Sequence, residues 1–145
     1  MNGSAKKVTD NIKTKTVFTD DGAAGMLKRY LETEMSGVKP YVICDENTVK
    51  YADAYLSGIE RYVYPPDQHA TPEAAELSYS DMKLRGSGAV IACGSGSIHD
   101  ITRYAAEKAG IPVISFPTAP SVDGFASSMA AMTIGGQKLT VPSHT

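Results

Sequence analysis

The chain has 145 residues, a length that suits one domain with a hydrophobic core of its own. Hydrophobic residues make up 42% of it and charged residues 21%, which excludes an intrinsically disordered chain. The net charge of −2 gives no indication of a nucleic-acid partner or an anionic membrane, and no apolar run is long enough to cross a bilayer.

The amino-terminal stretch "MNGSAKKVTDNIKTK" has lysines with no apolar run behind them, so it does not form a secretory signal. We expect residues 1–14 to be a flexible segment and residues 15–145 to form one α/β domain. Cys44 and Cys93 each lie late in an apolar run, with no further Cys or His at metal-ligand spacing. This placement predicts reduced, buried thiols in a cytoplasmic protein.

The first half of the chain alternates short apolar runs with helical patterns. "KTVFTD" predicts a short strand, and "GAAGMLKRYLETEM" predicts a helix because its large apolar residues recur at helical spacing. "KPYVICDENT" predicts a strand, and the helix after it takes Asn47 or Thr48 as its cap. "RYVYPPD" predicts a strand stopped by prolines, and Thr71 followed by Pro72 opens a helix that runs to about Arg85.

In the second half, "AVIACG" predicts a strand, "IHDITRYAAEKAG" a helix closed by Gly110, and "IPVISFP" another strand. Continuously apolar strands that alternate with helices predict an α/β fold, a Rossmann-like parallel sheet with helices on both faces. "SMAAMTIGGQKLTVPS" predicts an antiparallel hairpin on the edge of the sheet or beside it, with Gly135 and Gly136 in its turn.

The glycine turn "CGSGSIHD" joins a buried strand to a helix. Gly94 and Gly96 allow a sharp turn and a close approach of backbone to a ligand. The helix that begins near Ser97 presents free N–H groups and the positive end of its dipole, which suits a phosphate, and Ser95 and Ser97 add hydroxyl groups. The alternative is a turn that needs glycine for its geometry alone.

A dinucleotide-binding fold usually has an acidic residue about 20 residues after its glycines, where it holds the ribose diol. In this chain that window is "PVISF", which contains no acid. Asp45, at the carboxyl end of the "PYVIC" strand, is the alternative group for holding the adenosine. A second interpretation of Asp45, that it caps the following helix, stays open.

The segment "SFPTAPSVDGFASS" also leaves the carboxyl end of a strand, the side on which open α/β sheets bind ligands. Thr118 and Ser121 offer hydroxyl groups. Asp123 is a candidate catalytic residue, placed to accept hydrogen bonds from substrate hydroxyls or to orient a metal-bound alcohol, and the alternative is an Asx-turn. Of the histidines, we expect His69 to be exposed and His99 to occupy a solvated position in the first turn of its helix, with a hydrogen bond to a phosphate as the alternative. His144 lies beside the end of the sequence.

"GSGSIHDITRYAAEKAGIPVISFPTAPSVDGFASSMAAMT" resembles the amino-terminal half of glycerol-1-phosphate dehydrogenases. These enzymes belong to the superfamily of iron-type alcohol dehydrogenases, glycerol dehydrogenases and dehydroquinate synthases. The resemblance is specific over roughly residues 88–142, because a G-S-G-x-x-x-D turn and P-T-A-P-S-x-D-G-x-x-S occur together. It implies NAD or NADP as cofactor and hydride transfer between dihydroxyacetone phosphate, a phosphorylated triose, and sn-glycerol 1-phosphate.

The resemblance also implies residue roles. Asp123 matches the aspartate that binds substrate near the reacting carbon, whereas Arg103 stands where many relatives have lysine, which leaves its role open. Relatives are commonly homo-oligomers, and no nucleic-acid or membrane partner is implied. Together with the glycine-turn and Asp45 interpretations, the predicted cofactor-binding residues are Asp45, Gly94, Ser95, Gly96, Ser97, Ile98, Asp100, Thr118, Ala119, Pro120, Ser121 and Ser127.

In the family a divalent metal, zinc or nickel, is held by one Asp and two His in a carboxyl-terminal helical domain. This chain ends at "KLTVPSHT", and His144 matches none of those ligands, so we expect a nucleotide-binding domain that is inactive or nearly so by itself. Two alternatives stay open. One is a lyase resembling dehydroquinate synthase, although "DGFASSMAA" stands where that family has Ser-Ser-x-Gly-Gly-Lys. The other is a non-catalytic nucleotide-binding module.

Overall fold

The computed structural model describes residues 5–7, 16–18, 23–33, 35–118, 129–134 and 137–142. Within them, four helices and eight strands are defined. The helices are α1 (Ala23–Thr33), α2 (Val49–Tyr55), α3 (Pro72–Leu84) and α4 (Gly96–Ala109). The strands are β1 (Ala5–Lys7), β2 (Thr16–Phe18), β3 (Pro40–Asp45), β4 (Arg61–Tyr64), β5 (Ala89–Gly94), β6 (Val113–Pro117), β7 (Met129–Ile134) and β8 (Gln137–Pro142).

The central sheet is parallel and has four strands in the order β4-β3-β5-β6. This confirms the α/β fold with a parallel sheet that the sequence predicts. Successive parallel strands need a crossover connection, and α2, α3 and α4 provide the crossovers here. β3 and β5 are the inner strands, which explains why their sequences are almost continuously apolar.

Helices cover both faces of the sheet, as predicted. Because side chains alternate along a strand, Tyr41 and Val90 lie on one face, and Val42 and Ile91 on the other. The first face packs against buried residues of α3 and α4. The second packs against Leu27 and other buried residues of α1 and α2. The two apolar clusters hold the sheet between two layers of helix.

The order of the strands reverses direction between β3 and β5. From β3 the chain moves outward to β4, then returns past β3 to β5 and continues to β6. At such a point the two crossover connections leave on opposite sides of the sheet, which opens a crevice at the carboxyl ends of the strands. Asp45 ends β3 and Gly94 ends β5, so both border this crevice.

Local sequence signals account for the ends of two helices. The Thr71 hydroxyl accepts a hydrogen bond from Ala74 N at 3.0 Å, and Pro72 takes the first helical position of α3. Gly110 ends α4 in the left-handed conformation with φ of 71°. Thr48 is the N-cap residue of α2, one of the two caps predicted.

Two antiparallel pairs lie outside the central sheet. β7 and β8 pair with each other from Met129 opposite Pro142 to Ile134 opposite Gln137, and they form a sheet of their own. β1 pairs with β2, so three residues of the segment expected to be flexible form a strand in the structure. A run of three residues is too short for a periodic pattern in sequence.

Among the described residues, none of the helices has the length and apolar character needed to cross a lipid bilayer.

Candidate nucleotide-binding site

The glycine turn connects the end of β5 to the start of α4. Ser95 is the N-cap residue of α4, and its side chain makes no capping hydrogen bond. The helical hydrogen bonds begin with His99 N, which donates to Ser95 O at 3.0 Å. The N–H groups of Gly96, Ser97 and Ile98 therefore precede the helical ladder at the positive end of the helix dipole, as an anion-binding turn requires.

The two glycines of the turn differ in their surroundings. A Cβ atom at Gly94 would lie 3.1 to 3.2 Å from three side-chain atoms of Ile98, which is too close for ordinary packing. Among the described residues, no atom lies within 4 Å of a Cβ atom placed at Gly96. Gly94 therefore allows α4 to pack close to β5, whereas the described residues leave space beside Gly96 that an added side chain would occupy.

The predicted cofactor-binding residues of α4 divide into surface and core positions. Ser95 and Gly96 are exposed, and Ser97 and Asp100 are partly exposed. Ile98 is only 1% exposed, and its side chain belongs to the core cluster on the α3 and α4 face. Its backbone N–H is consequently the part of Ile98 that faces the turn, and its side chain holds the helix to the sheet.

Asp45 is 6% exposed and caps the turn that opens α2. Its Oδ1 atom accepts from the backbone N–H groups of Asn47 and Thr48, each at 2.9 Å. This is the capping role that the sequence leaves open. Since Oδ1 alone makes these bonds, the capping role does not decide whether the carboxylate also holds an adenosine.

Thr48 joins the two inner strands at this edge of the sheet. Its hydroxyl oxygen accepts from Asp45 N at 3.1 Å and lies 2.9 Å from the carbonyl oxygen of Cys93. The Thr48 hydroxyl group therefore links β3 and β5 at the carboxyl ends of the two strands. The sequence pattern indicates Thr48 only as a helix cap and does not predict this link, because the contact with Cys93 spans 45 positions in sequence.

The prediction of a solvated His99 was wrong. Its side chain is fully buried, with Nδ1 2.9 Å from Ser95 O and Nε2 2.6 Å from the hydroxyl oxygen of Ser115 on β6. Burial lowers the pKa of His99 to about 4, so the ring is neutral near neutral pH. The ring points from α4 toward β6, and it fixes the carbonyl group of the N-cap residue.

Arg103 is also buried, one turn further along α4. The side chain is 2% exposed, and its Nη2 atom lies 2.8 Å from Oδ1 of Asp100, whose side chain is 14% exposed. No partner for Nε or Nη1 of Arg103 occurs within the part of the chain that the structure describes. A buried charged pair is thus a feature of the helix that follows the glycine turn, and nothing in the sequence pattern predicted it.

The second predicted loop begins at the same edge of the sheet. β5 and β6 are parallel, with Gly94 opposite Pro117, and the partly exposed Thr118 follows directly. The remaining predicted residues of this loop lie outside the described residues, as does His144; they are Ala119, Pro120, Ser121, Asp123 and Ser127. His69 is exposed, as predicted.

Metal ligation requires several His, Cys, Asp or Glu side chains close together. The described residues contain no group of three or more such side chains that could hold a metal ion. They therefore do not fit the metal of the resembled family.

A parallel sheet with a strand reversal and an uncapped glycine turn at that point are features of α/β folds that bind nucleotides. The family described as iron-containing alcohol dehydrogenase matches residues 18–145, and the chain belongs to this family. The chain is 42% identical over 141 residues to the glycerol-1-phosphate dehydrogenase [NAD(P)+] of Bacillus velezensis, with 90% of this chain and 36% of the relative covered. It is 58% identical over 113 residues to the enzyme of the same name from Bacillus licheniformis, with 71% and 28% covered.

Solved structures with the same fold include the iron-containing alcohol dehydrogenase from Corynebacterium glutamicum. It is 21% identical, the TM-score is 0.76, and the alignment covers 97% of this chain and 39% of that one. The sulfoacetaldehyde reductase from Bifidobacterium kashiwanohense in complex with NAD+ is 17% identical, with a TM-score of 0.70 and coverage of 84% and 39%. In both comparisons, as in those with the curated relatives, the chain spans less than half the length of the related protein.

Proposed function

We propose that this chain is the nucleotide-binding domain of an NAD(P)-dependent sn-glycerol-1-phosphate dehydrogenase. The observation that carries the proposal is the uncapped turn from Gly94 to Gly96 at the strand reversal, in a chain 42% identical to an enzyme of that name. Bound NAD(P) would supply hydride transfer between dihydroxyacetone phosphate and sn-glycerol 1-phosphate. By itself the domain would be inactive or nearly so.

In this proposal the chain's own residues bind and orient the nucleotide. The N–H groups at the start of α4, which precede the helical hydrogen bonds, donate to the pyrophosphate, and among the described residues Gly96 leaves room for it. Thr118, which follows β6 at the same edge of the sheet, is proposed to contribute its hydroxyl group. The remaining proposed cofactor residues are Ser95, Ser97, Ile98 through its N–H, Asp100, Ala119, Pro120, Ser121 and Ser127, and Asp123 is proposed to bind substrate near the reacting carbon.

Asp45 bears on the choice between NAD and NADP. Its carboxylate ends β3 beside the glycine turn of β5, and capping engages Oδ1. If the carboxylate also meets the adenosine ribose, it favours NAD, because it would repel the 2′-phosphate of NADP.

The rest of the proposal concerns the whole protein. A zinc or nickel ion would be held by residues outside those described here. Two free, fully buried cysteines suit a reducing compartment, which supports the cytoplasm as the proposed location. A homo-oligomer that acts on a phosphorylated triose, with no nucleic-acid or membrane partner, completes the proposal.

The nucleotide proposal is tested by titrating the 145-residue chain with NADH and with NADPH in a calorimeter. Gly96→Val should abolish the binding and leave the fold intact, because no described residue lies within 4 Å of a Cβ atom at this position. Ser80→Val, at an exposed position of α3, is the control and should bind like the wild-type chain. Affinity that survives in Gly96→Val, or a wild-type chain that binds neither nucleotide, would overturn the proposal.

A further inference from the structure

Arg103 is a buried cation that uses few of its hydrogen-bond donors within the described part of the chain. The side chain is 2% exposed, and one nitrogen, Nη2, pairs with Asp100. Within the described residues, Nε and Nη1 have no hydrogen-bond partner. Removing a guanidinium from water is unfavourable, and an apolar side chain of similar size often gives an equally stable or more stable protein. The stability of the fold therefore does not explain why a charged residue is at this position.

The position of the ion pair along α4 relates it to the glycine turn. Helical side chains lean toward the amino terminus of their helix, and Arg103 reaches back one turn to Asp100. Asp100 lies three residues after Ser97 and four after Gly96, and residues at these spacings share one side of a helix. Asp100 thus lies on the side of α4 that carries Gly96 and Ser97, one turn after the N–H groups that precede the helical ladder.

A carboxylate in this place opposes the binding of an anion. The turn attracts phosphate through its N–H groups and the helix dipole, and a negative charge one turn away would repel the same phosphate. Asp100 is mostly buried, so water screens its charge poorly. The guanidinium of Arg103, 2.8 Å from Oδ1, is the charge that offsets it.

We infer that Arg103 is a positioning residue of the nucleotide site: it neutralises and orients the Asp100 carboxylate, so that the carboxylate can stand beside the pyrophosphate of the cofactor. This inference rests on the proposed function, since it takes a dinucleotide as the ligand of the turn. It explains why the buried Arg103 pairs with a carboxylate three residues earlier on the same helix, while its Nε and Nη1 atoms have no hydrogen-bond partner among the described residues. Arg103 acts through Asp100 and contacts neither substrate nor cofactor itself.

The test is a double-mutant cycle on NADH affinity, measured by calorimetry on the 145-residue chain. Arg103→Met leaves the carboxylate uncompensated and should weaken NADH binding about tenfold or more. Asp100→Asn combined with Arg103→Met removes the repulsion and should bind NADH more tightly than Arg103→Met alone, but more weakly than wild type, because the contribution of Asp100 to the site is also removed. Lys108→Met removes a positive charge from the far end of the same helix and should change the affinity by less than about twofold.

Rescue by the second substitution separates this role from a structural one, because a purely structural arginine would not be replaced by neutralising its partner. If Arg103→Met does not fold, Arg103→Lys and Arg103→Gln serve in its place. The lysine variant keeps the charge and should bind within about threefold of wild type, and the glutamine variant should bind about tenfold more weakly.

Three results would overturn the inference while leaving the proposed function intact. They are unchanged affinity in Arg103→Met, a folded double variant that binds no better than Arg103→Met, and lysine and glutamine variants that bind equally. A wild-type chain that fails to bind NADH or NADPH would overturn the proposed function and this inference together.

Discussion

The Nε2 atom of His99 lies 2.6 Å from the hydroxyl oxygen of Ser115, and this contact joins the start of α4 to the neighbouring strand β6. The other ring nitrogen, Nδ1, is 2.9 Å from the carbonyl oxygen of Ser95. A carbonyl oxygen can only accept a hydrogen bond, so Nδ1 carries the hydrogen, and Nε2 of the neutral ring accepts from Ser115. The neutral imidazole thus holds the N-cap residue of the glycine turn against the sheet.

Folding stability should depend on pH through His99. Burial lowers its pKa from 6.5 to about 4, so the folded chain resists protonation that the unfolded chain accepts. The folded chain keeps its full stability above pH 6.5, and its free energy of unfolding decreases as the pH falls from there toward about 4. The total loss at the lower end is roughly 3 kcal/mol. Urea denaturation at a series of pH values measures it.

Carboxylates also titrate near the lower end of this range, so a variant is needed as the reference. His99→Gln lacks the titrating ring and should show a clearly smaller loss of stability between pH 6.5 and about 4. His69→Gln, at an exposed position, should follow the wild-type curve. Parallel curves for wild type and His99→Gln would contradict the assignment of this pH dependence to His99.

Gly94 should be required for the packing of α4 against β5. An alanine Cβ at this position would lie 3.1 to 3.2 Å from atoms of Ile98, which is buried and cannot move away freely. We expect Gly94→Ala to lower the free energy of unfolding by about 1–3 kcal/mol, as overpacked core substitutions do. Chemical denaturation gives this quantity.

Gly96→Ala is the matched control for that measurement, because no described residue lies within 4 Å of a Cβ atom placed there, two residues along the chain. It should leave stability unchanged or raise it slightly, since alanine loses less conformational freedom than glycine on folding. Equal destabilisation by the two substitutions would mean that the turn needs both glycines for its backbone geometry. This is the alternative to a phosphate-binding turn that the sequence leaves open.

The elements that the sequence predicts correctly are marked by residues close to one another in the chain. Thr71 before Pro72 marks the start of α3, Gly110 marks the end of α4, and the apolar run of β5 marks an inner strand. Each signal depends on neighbours within a few residues, so the parallel sheet and its glycine turn could be predicted from the order of residues alone.

The residues whose surroundings the sequence did not predict make contacts between distant segments of the chain. The buried His99 ring contacts Ser115 of β6. The buried Arg103 belongs to a helix that lies close to β6 and β7 as well as to β5. A polar residue on a helix is usually solvated, and helical periodicity alone does not show that a further strand covers that side. Thr48 likewise acts through Cys93, on a different strand.

The two cysteines should be unreactive in the folded chain. Both are fully buried, and burial raises the pKa of Cys44 to about 11 and that of Cys93 to about 12. Because the thiolate is the reactive form, a maleimide reagent near neutral pH should modify them only when the chain unfolds. The exposed Leu84→Cys variant should react rapidly at one additional thiol. Rapid modification of the wild-type chain would contradict the burial of these thiols.

Thr48 should stabilise the fold through its hydroxyl group. Thr48→Val keeps the shape but removes the oxygen that accepts from Asp45 N and contacts the carbonyl oxygen of Cys93. A buried polar group that loses its partner destabilises by about 1–3 kcal/mol, so we expect a loss of this size in urea denaturation. Thr48→Ser retains the hydroxyl and should lose less than about 1.5 kcal/mol, as expected for removing one methyl group. If serine were as destabilising as valine, the methyl group and not the hydrogen bonds would hold β3 to β5 at the mouth of the crevice.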